Sequence, residues 1–275
     1  MVKRFLFLFV FVSCCFGQGT EKSVPLDHWK AAVLSGSAAL KQLYSTEPPA
    51  RITVVAKSST DVSADDDAAF WGGMKARRIS LHVGHTESPH PGVEEFTFEA
   101  KVTPAPPGRT LYVLEAQIWQ QQTAGWRLVA AQRTEAYKLE QPLSLDAKIY
   151  PPAAGARTEI RDAETRAAKA HKRVLVIFGA DWCYDCHVLD RALQRPDIAP
   201  TLNASFEVVH VDVGTGDKNQ DLMNEYQVPM SRGIPALAVL DSSGKLVYSQ
   251  KNGEFERTRT LGPEDLLAFL NKWKP

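Results

Sequence analysis

The sequence predicts two domains: an α+β unit with helices over a curved antiparallel sheet, then an α/β unit whose sheet is parallel first and antiparallel last. Three observations carry this. Apolar residues recur at helical spacing over 24–45, then at a period of two between 78 and 133. From 159 onward buried apolar runs alternate with helical stretches. Between the two regimes lies a stretch with neither period, containing Pro151-Pro152 and Ala153-Ala-Gly-Ala156. The chain has 275 residues, enough for two cores of ordinary size. With 44% hydrophobic and 23% charged residues it is globular, and 32 basic against 32 acidic residues give no electrostatic case for nucleic acid.

At the N-terminus, Lys3 and Arg4 precede the apolar run from Phe5 to Val12, followed by small residues and Gly17-Gln18. This is the plan of a secretory signal peptide over 1–17. The run is too short to cross a bilayer as a stable helix. Ser13-Cys14 resembles a lipoprotein box in which Cys14 becomes the lipidated first residue, although Phe11 and Val12 depart from the favoured residues. Membrane attachment is expected only through such a lipid. Cleavage after Gly17 removes Cys14 and Cys15 and leaves Cys183 and Cys186 as the only thiols. A periplasmic or extracellular protein with one close cysteine pair has no disulfide framework to staple its fold, so the pair is read as functional.

In the first domain, 22–140, Leu26, Trp29, Ala32, Val33, Leu40, Leu43 and Tyr44 keep helical spacing, with Gly36 marking a break. Ala68-Ala-Phe-Trp71 is a further short helix, ended by Gly72-Gly73. The segments 78–83, 94–102, 110–119 and 126–133 alternate as half-buried antiparallel strands, the last two joined through Thr123-Ala-Gly125. A broken helix first and an aromatic-rich hairpin last (Trp119, Trp126) resemble the cone-shaped fold of the nuclear-transport-factor and SnoaL-like superfamily. The resemblance implies either an enzyme with a polar pocket or a module that binds a partner or forms a homodimer. No constellation selects an enzyme. His82 and His85 fall on opposite faces of a strand, and His90 lies in a Pro-rich turn. Asp65-Asp-Asp67 lacks the alternating spacing and glycine of a calcium loop, and reads as a solvated loop or helix cap. No metal site is expected.

The stretch 141–157 is read as the linker, and the second domain as 158–275. A charged Ala-rich helix over 159–171 leads into the buried strand 174–178 and a helix from Cys183 to Leu193, interrupted by Pro196. A strand over 206–213 and a helix over 218–226 follow. The strands 236–240 and 245–249 form a hairpin around Asp241-Ser-Ser-Gly244, and Pro263 opens a final amphipathic helix.

The chemistry gathers at Trp182-Cys-Tyr-Asp-Cys186, where the strand runs into two cysteines three apart. A dithiol at a helix N-terminus has amide dipoles aimed at its first sulfur, which stabilise a thiolate and make Cys183 the expected nucleophile. Two other readings stay open. Metal binding needs further ligands, and there is no second Cys-x-x-Cys. A structural disulfide would be closed off, whereas a catalytic Cys183 needs an exposed sulfur.

Together with Gly233-Ile-Pro235 ahead of the next strand, this motif resembles the thioredoxin superfamily across about 158–275. The resemblance implies a cis Ile234–Pro235 bond facing the dithiol, with Trp182, Ile234 and Pro235 contacting substrate. It implies an enzyme without cofactor, a thiol–disulfide oxidoreductase acting on disulfide- or dithiol-containing proteins and served by a redox partner. Cys183 would attack a partner disulfide, and Cys186 would resolve the mixed disulfide. Departures bear on tuning. Tyr184-Asp185 replaces the common Gly-Pro, Ile177 stands where thioredoxin has a buried acid, and Val208 stands where its lysine partner would be. Asp181, Asp185 and His187 are the candidates for pKa tuning. The redox direction stays open. The alternative is a non-enzymatic protein whose cone domain binds a ligand, with the second domain as a docking module.

Overall fold

The computed structural model describes residues 24–275. The expected signal peptide, Cys14 and Cys15 lie outside the described residues.

The chain begins with α1, Val24–Ser35, which buries Leu26, Trp29, Ala32 and Val33 along one stripe. Gly36, at φ 100°, turns it into α2, Ser37–Lys41. Two short strands follow, β1 (Arg51–Val55) and β2 (Ser59–Val62), and then α3, Ala64–Gly73. Ser63 caps α3, its Oγ accepting the Asp66 N–H at 3.1 Å. Gly72 lets α3 lie against α2, because a Cβ there would stand 2.1 Å from Ser37 Oγ and 2.8 Å from its backbone nitrogen. The long strands β3 (Ala76–His90), β4 (Val93–Pro104), β5 (Leu111–Gln122) and β6 (Gly125–Thr134) complete a six-stranded sheet. Its order is β2-β1-β6-β5-β4-β3, antiparallel throughout except where β1 runs parallel to β6.

Trp29, Trp71, Trp119, Phe96 and Phe98 fill the space between helices and sheet, with Trp29 and Trp71 edge to face at 4.7 Å. The architecture is the one expected, a sheet covered by helices in the manner of a cone fold. Three features differ from expectation. The hairpin β1–β2 was not foreseen, because five and four residues are too few to declare a period. β3 also carries its pairing through to His90↔Val93 across three register shifts, so His90 is a strand residue. Of the acidic triplet, Asp65 and Asp66 are solvated but Asp67 is fully buried.

The second domain comprises α4 (Ala156–Ala170), β7 (Arg173–Gly179), α5 (Tyr184–Leu193), α6 (Ala199–Ser205), β8 (Phe206–Asp212), α7 (Gln220–Glu225), β9 (Ala236–Leu240), β10 (Leu246–Ser249) and α8 (Pro263–Trp273). The sheet order is β10-β9-β7-β8, with β7–β8 parallel and β7–β9 and β9–β10 antiparallel. β7 is apolar on both faces because both are covered. Val174, Val176 and Phe178 pack in one cluster with Ile160 and Ala163 of α4, while Leu175 and Ile177 pack in another with residues of α5 and α8. The helix α6, unforeseen, carries Pro200 in its first turn.

The stretch between the domains has no strand and a single 3-10 turn at Ala153–Gly155. It is nevertheless packed down. Leu139 joins the cluster of Leu175 and Ile177, Tyr150 joins that of Phe178 and the cysteines, and Gln141 is 1% exposed.

Candidate functional site

β7 ends at Gly179, and three residues carry the chain to Cys183, the N-cap residue of α5. Cys183 and Cys186 form a disulfide, with 5.2 Å between their Cα atoms. The Cys186 N–H points at Cys183 Sγ, 3.2 Å away, so a helix N-terminus faces that sulfur. Cys183 Sγ also lies 3.6 Å from the carbonyl oxygen of Ile234, and the Ile234–Pro235 peptide is cis. Trp182, 56% exposed, donates from Nε1 to the Gly214 carbonyl at 2.9 Å. Cys183 Sγ thus lies between the α5 N-terminus and the cis Ile234–Pro235 bond, with Trp182 preceding it in the chain.

The exposure expected of a catalytic Cys183 is not met, and the pair is closed off. Cys183 is 4% and Cys186 1% exposed.

Asp181, His187 and Asp185, the polar residues nearest the pair in the chain, are all engaged. Asp181 holds the interdomain stretch, its Oδ1 accepting the N–H groups of Ile149 and Tyr150 at 3.0 Å each. Lys148 is 3.5 Å from its other oxygen. His187, buried, has Nε2 2.7 Å from the Asp181 carbonyl oxygen; a carbonyl only accepts, so that nitrogen carries a proton. Asp185 is gripped by Arg259 from the 3-10 turn Thr258–Thr260, whose Nε lies 3.0 Å from both carboxylate oxygens and whose backbone N–H donates at 2.9 Å. This pairing raises the Arg259 pKa. Its guanidinium lies 4.5 Å over the Tyr184 ring.

Tyr184 links the motif to the first domain. Its hydroxyl donates to Gln141 Oε1 at 2.9 Å, and the Gln141 N–H donates to Glu99 Oε2 of β4 at 2.7 Å. Burial raises the pKa of Tyr184 and of Glu99, Glu99 being pulled back by the Gln141 N–H. Glu99, Gln141, Tyr150 and Arg259 were not singled out in the sequence. Nothing local marks them, because each meets the motif only through the tertiary fold. Among the described residues no group of three or more His, Cys, Asp or Glu side chains is placed to hold a metal.

The fold and the disposition of the dithiol define a thioredoxin-like domain that follows a cone-like one in the chain. Residues 156–242 match the thioredoxin-like family, so the chain carries a thioredoxin-like domain. The thiol:disulfide interchange protein DsbD 2 of Pseudomonas aeruginosa is 31% identical over 118 residues, covering 41% of this chain and 18% of that protein. The chain therefore spans less than a fifth of that curated relative. A crystal structure of a disulphide isomerase from Xylella fastidiosa Temecula1 is 34% identical, covering 48% of this chain and 98% of that one, with a TM-score of 0.43. An NTF2-like protein of unknown function from Shewanella baltica OS155 is 8% identical, covering 40% of this chain and 86% of that one, with a TM-score of 0.32.

Proposed function

We propose that this is an exported thiol–disulfide oxidoreductase that exchanges disulfides with partner proteins through Cys183 and Cys186. The observation that carries the reading is the place of Cys183. Its sulfur caps α5, faces the Cys186 amide at 3.2 Å and lies beside the Ile234 carbonyl. Helix amides stabilise a thiolate there and lower the pKa of the attacking thiol. In the reductive direction the Cys183 thiolate attacks a partner disulfide, and one partner sulfur leaves as thiolate. Cys186 then attacks Cys183, and the second partner sulfur leaves. The partner backbone would approach along Ile234 and Pro235 beside Trp182.

Lys3, Arg4 and the apolar run after them support export. The chain Tyr184–Gln141–Glu99 gives the first domain a way to fix the orientation of the motif while it positions a partner. Insulin reduction with dithiothreitol as electron donor tests the proposal. Wild type is expected to accelerate precipitation and Cys183→Ala to leave the uncatalysed rate. Equal, negligible turnover by both would overturn the enzymatic reading and favour a binding protein with a structural disulfide.

A further inference from the structure

Tyr150 is a buried hydroxyl for which the exchange reaction above has no stated use. It comes from the interdomain stretch, is 7% exposed, and its hydroxyl has no hydrogen-bond partner. A Cβ built on Gly179 would meet Tyr150 Oη at 2.1 Å and Cys186 Sγ at 2.8 Å. Oxygen and sulfur therefore border one small space over the Gly179 Cα, separated by at most the sum of those distances. Position 179 has to be glycine for both to enter. Asp181 fixes the approach through the Ile149 and Tyr150 amides, and the Tyr150 ring packs edge-on to His210 at 5.3 Å. Ile177, two residues earlier on β7 and so on the same side of the strand as that space, brings no polar group.

We infer that the Tyr150 hydroxyl donates a hydrogen bond to Cys186 when the disulfide is open, and so governs the resolving step. The inference rests on the exchange reading of the pair. A disulfide sulfur is a weak acceptor, and the hydroxyl is unpartnered in the closed form; a thiolate is an ionised acceptor and bonds strongly. Burial, and then the charges of Asp190, Asp181 and Asp212, raise the Tyr150 pKa, so the hydroxyl keeps its proton and acts as donor, not base. In the mixed disulfide, Cys186 loses its proton to solvent, held as thiolate by this bond. Its sulfur attacks Cys183 Sγ, the Cys183–Cys186 bond forms and the Cys183–partner bond breaks. The electron pair leaves on the partner sulfur, which takes up a proton; the dithiol is oxidised and the partner disulfide reduced. In the reverse direction the same bond stabilises Cys186 as the leaving group.

The charged groups acting on Tyr150 are Asp190, Asp181 and Asp212, whose charges oppose a thiolate, and at its ring stands His210, whose pKa burial lowers. On α5 itself stand Asp185, paired with Arg259, and His187, bonded to the Asp181 carbonyl.

The test is Tyr150→Phe in the full chain, with Cys14→Ser and Cys15→Ser so that two thiols remain. The reduced protein is mixed in stopped flow with an aromatic disulfide whose thiolate absorbs. The first thiolate released reports attack by Cys183, and the second reports resolution by Cys186. The first phase is expected to keep its rate, and the second to slow by about tenfold with its pH midpoint moved upward. An unchanged second phase, or equal slowing of both, overturns the inference and leaves exchange standing. Absence of the first phase in both proteins overturns exchange itself, and this inference with it. Should Tyr150→Phe not fold, wild type labelled with carbon-13 at tyrosine Cζ decides. The Tyr150 resonance must move as Cys186 titrates, and a stationary resonance overturns the assignment.

Discussion

The two domains treat buried ionisable groups in opposite ways. In the first, Asp67 and Glu115 are fully buried and Arg133 is 5% exposed, all enclosed by the fold. Arg133 pairs with one oxygen of Asp67, Tyr44 donates to the other at 2.6 Å, and the guanidinium stacks 3.5 Å from the Phe70 ring. Gln117 donates to Glu115 at 2.9 Å and accepts from Trp119 at 2.8 Å. In the second domain the buried Asp185, two residues from Cys183, is matched by an Arg259 whose side chain is 35% exposed. A sealed network fixes one arrangement of the core. A half-open one leaves the charge beside Cys183 within reach of solvent.

Arg133→Met breaks the comparison most severely. It strips the cation from a fully buried carboxylate, and removing one member of a buried pair costs about 3–5 kcal/mol. Urea unfolding followed through the tryptophans of the first domain is expected to show that loss. A cost below about 1 kcal/mol would mean that Asp67 is already satisfied by Tyr44 and water.

Acidification should separate the domains by sign. Burial, followed by the charge of Asp67, raises the Glu115 pKa well above 4.5, so the folded domain keeps a proton that the unfolded chain releases near 4.5. Its stabilising contribution is complete below that pH and is lost as pH rises through the raised value. Burial lowers the His210 pKa below 6.5, so the unfolded chain takes up a proton that the folded domain refuses. That contribution is complete above 6.5 and shrinks as pH falls through 6.5. Between pH 6.5 and 4.5 the first domain should therefore gain stability and the second lose it. The His210 slope is the shallower, since that side chain is 23% exposed. Domain-resolved hydrogen exchange across this range reads both slopes, and Glu115→Gln should reduce the first alone, leaving the share that Glu99 contributes. Slopes of equal sign would contradict the contrast.

How much of this was legible in the sequence follows the same division. β7, α5 and the Ile234–Pro235 segment could be read because each is announced within about ten residues, by an apolar run, a Cys spacing or a Pro. The cone's long strands declared themselves by period, whereas β1 and β2 are too short to do so. What could not be read are the partners that arrive from afar. Arg259 reaches Asp185 across 74 residues, and Gln141 reaches Glu99 across 42. The stretch 141–157 carried the composition of a linker, and composition is silent on whether Tyr150 and Gln141 are packed down. Asp67 sat in an acidic run that looked solvated, and only the covering sheet makes it a buried ion.

Arg259→Gln is the finest probe of the half-open site. Glutamine can still donate to Asp185, so α5 stays tied to the 3-10 turn, but the carboxylate two residues from Cys183 loses its opposing charge. A like charge nearby disfavours the thiolate. Because the pair is partly open to solvent, the effect is screened, and alkylation of reduced Cys183 by iodoacetamide at neutral pH should slow by about two- to fivefold. Adding Asp185→Asn removes the charge that Arg259 was compensating and should return the rate toward wild type. If Arg259→Gln lowers the unfolding midpoint but leaves alkylation unchanged, the pair serves only to anchor α5. In that case the tuning of Cys183 comes from the helix amides alone.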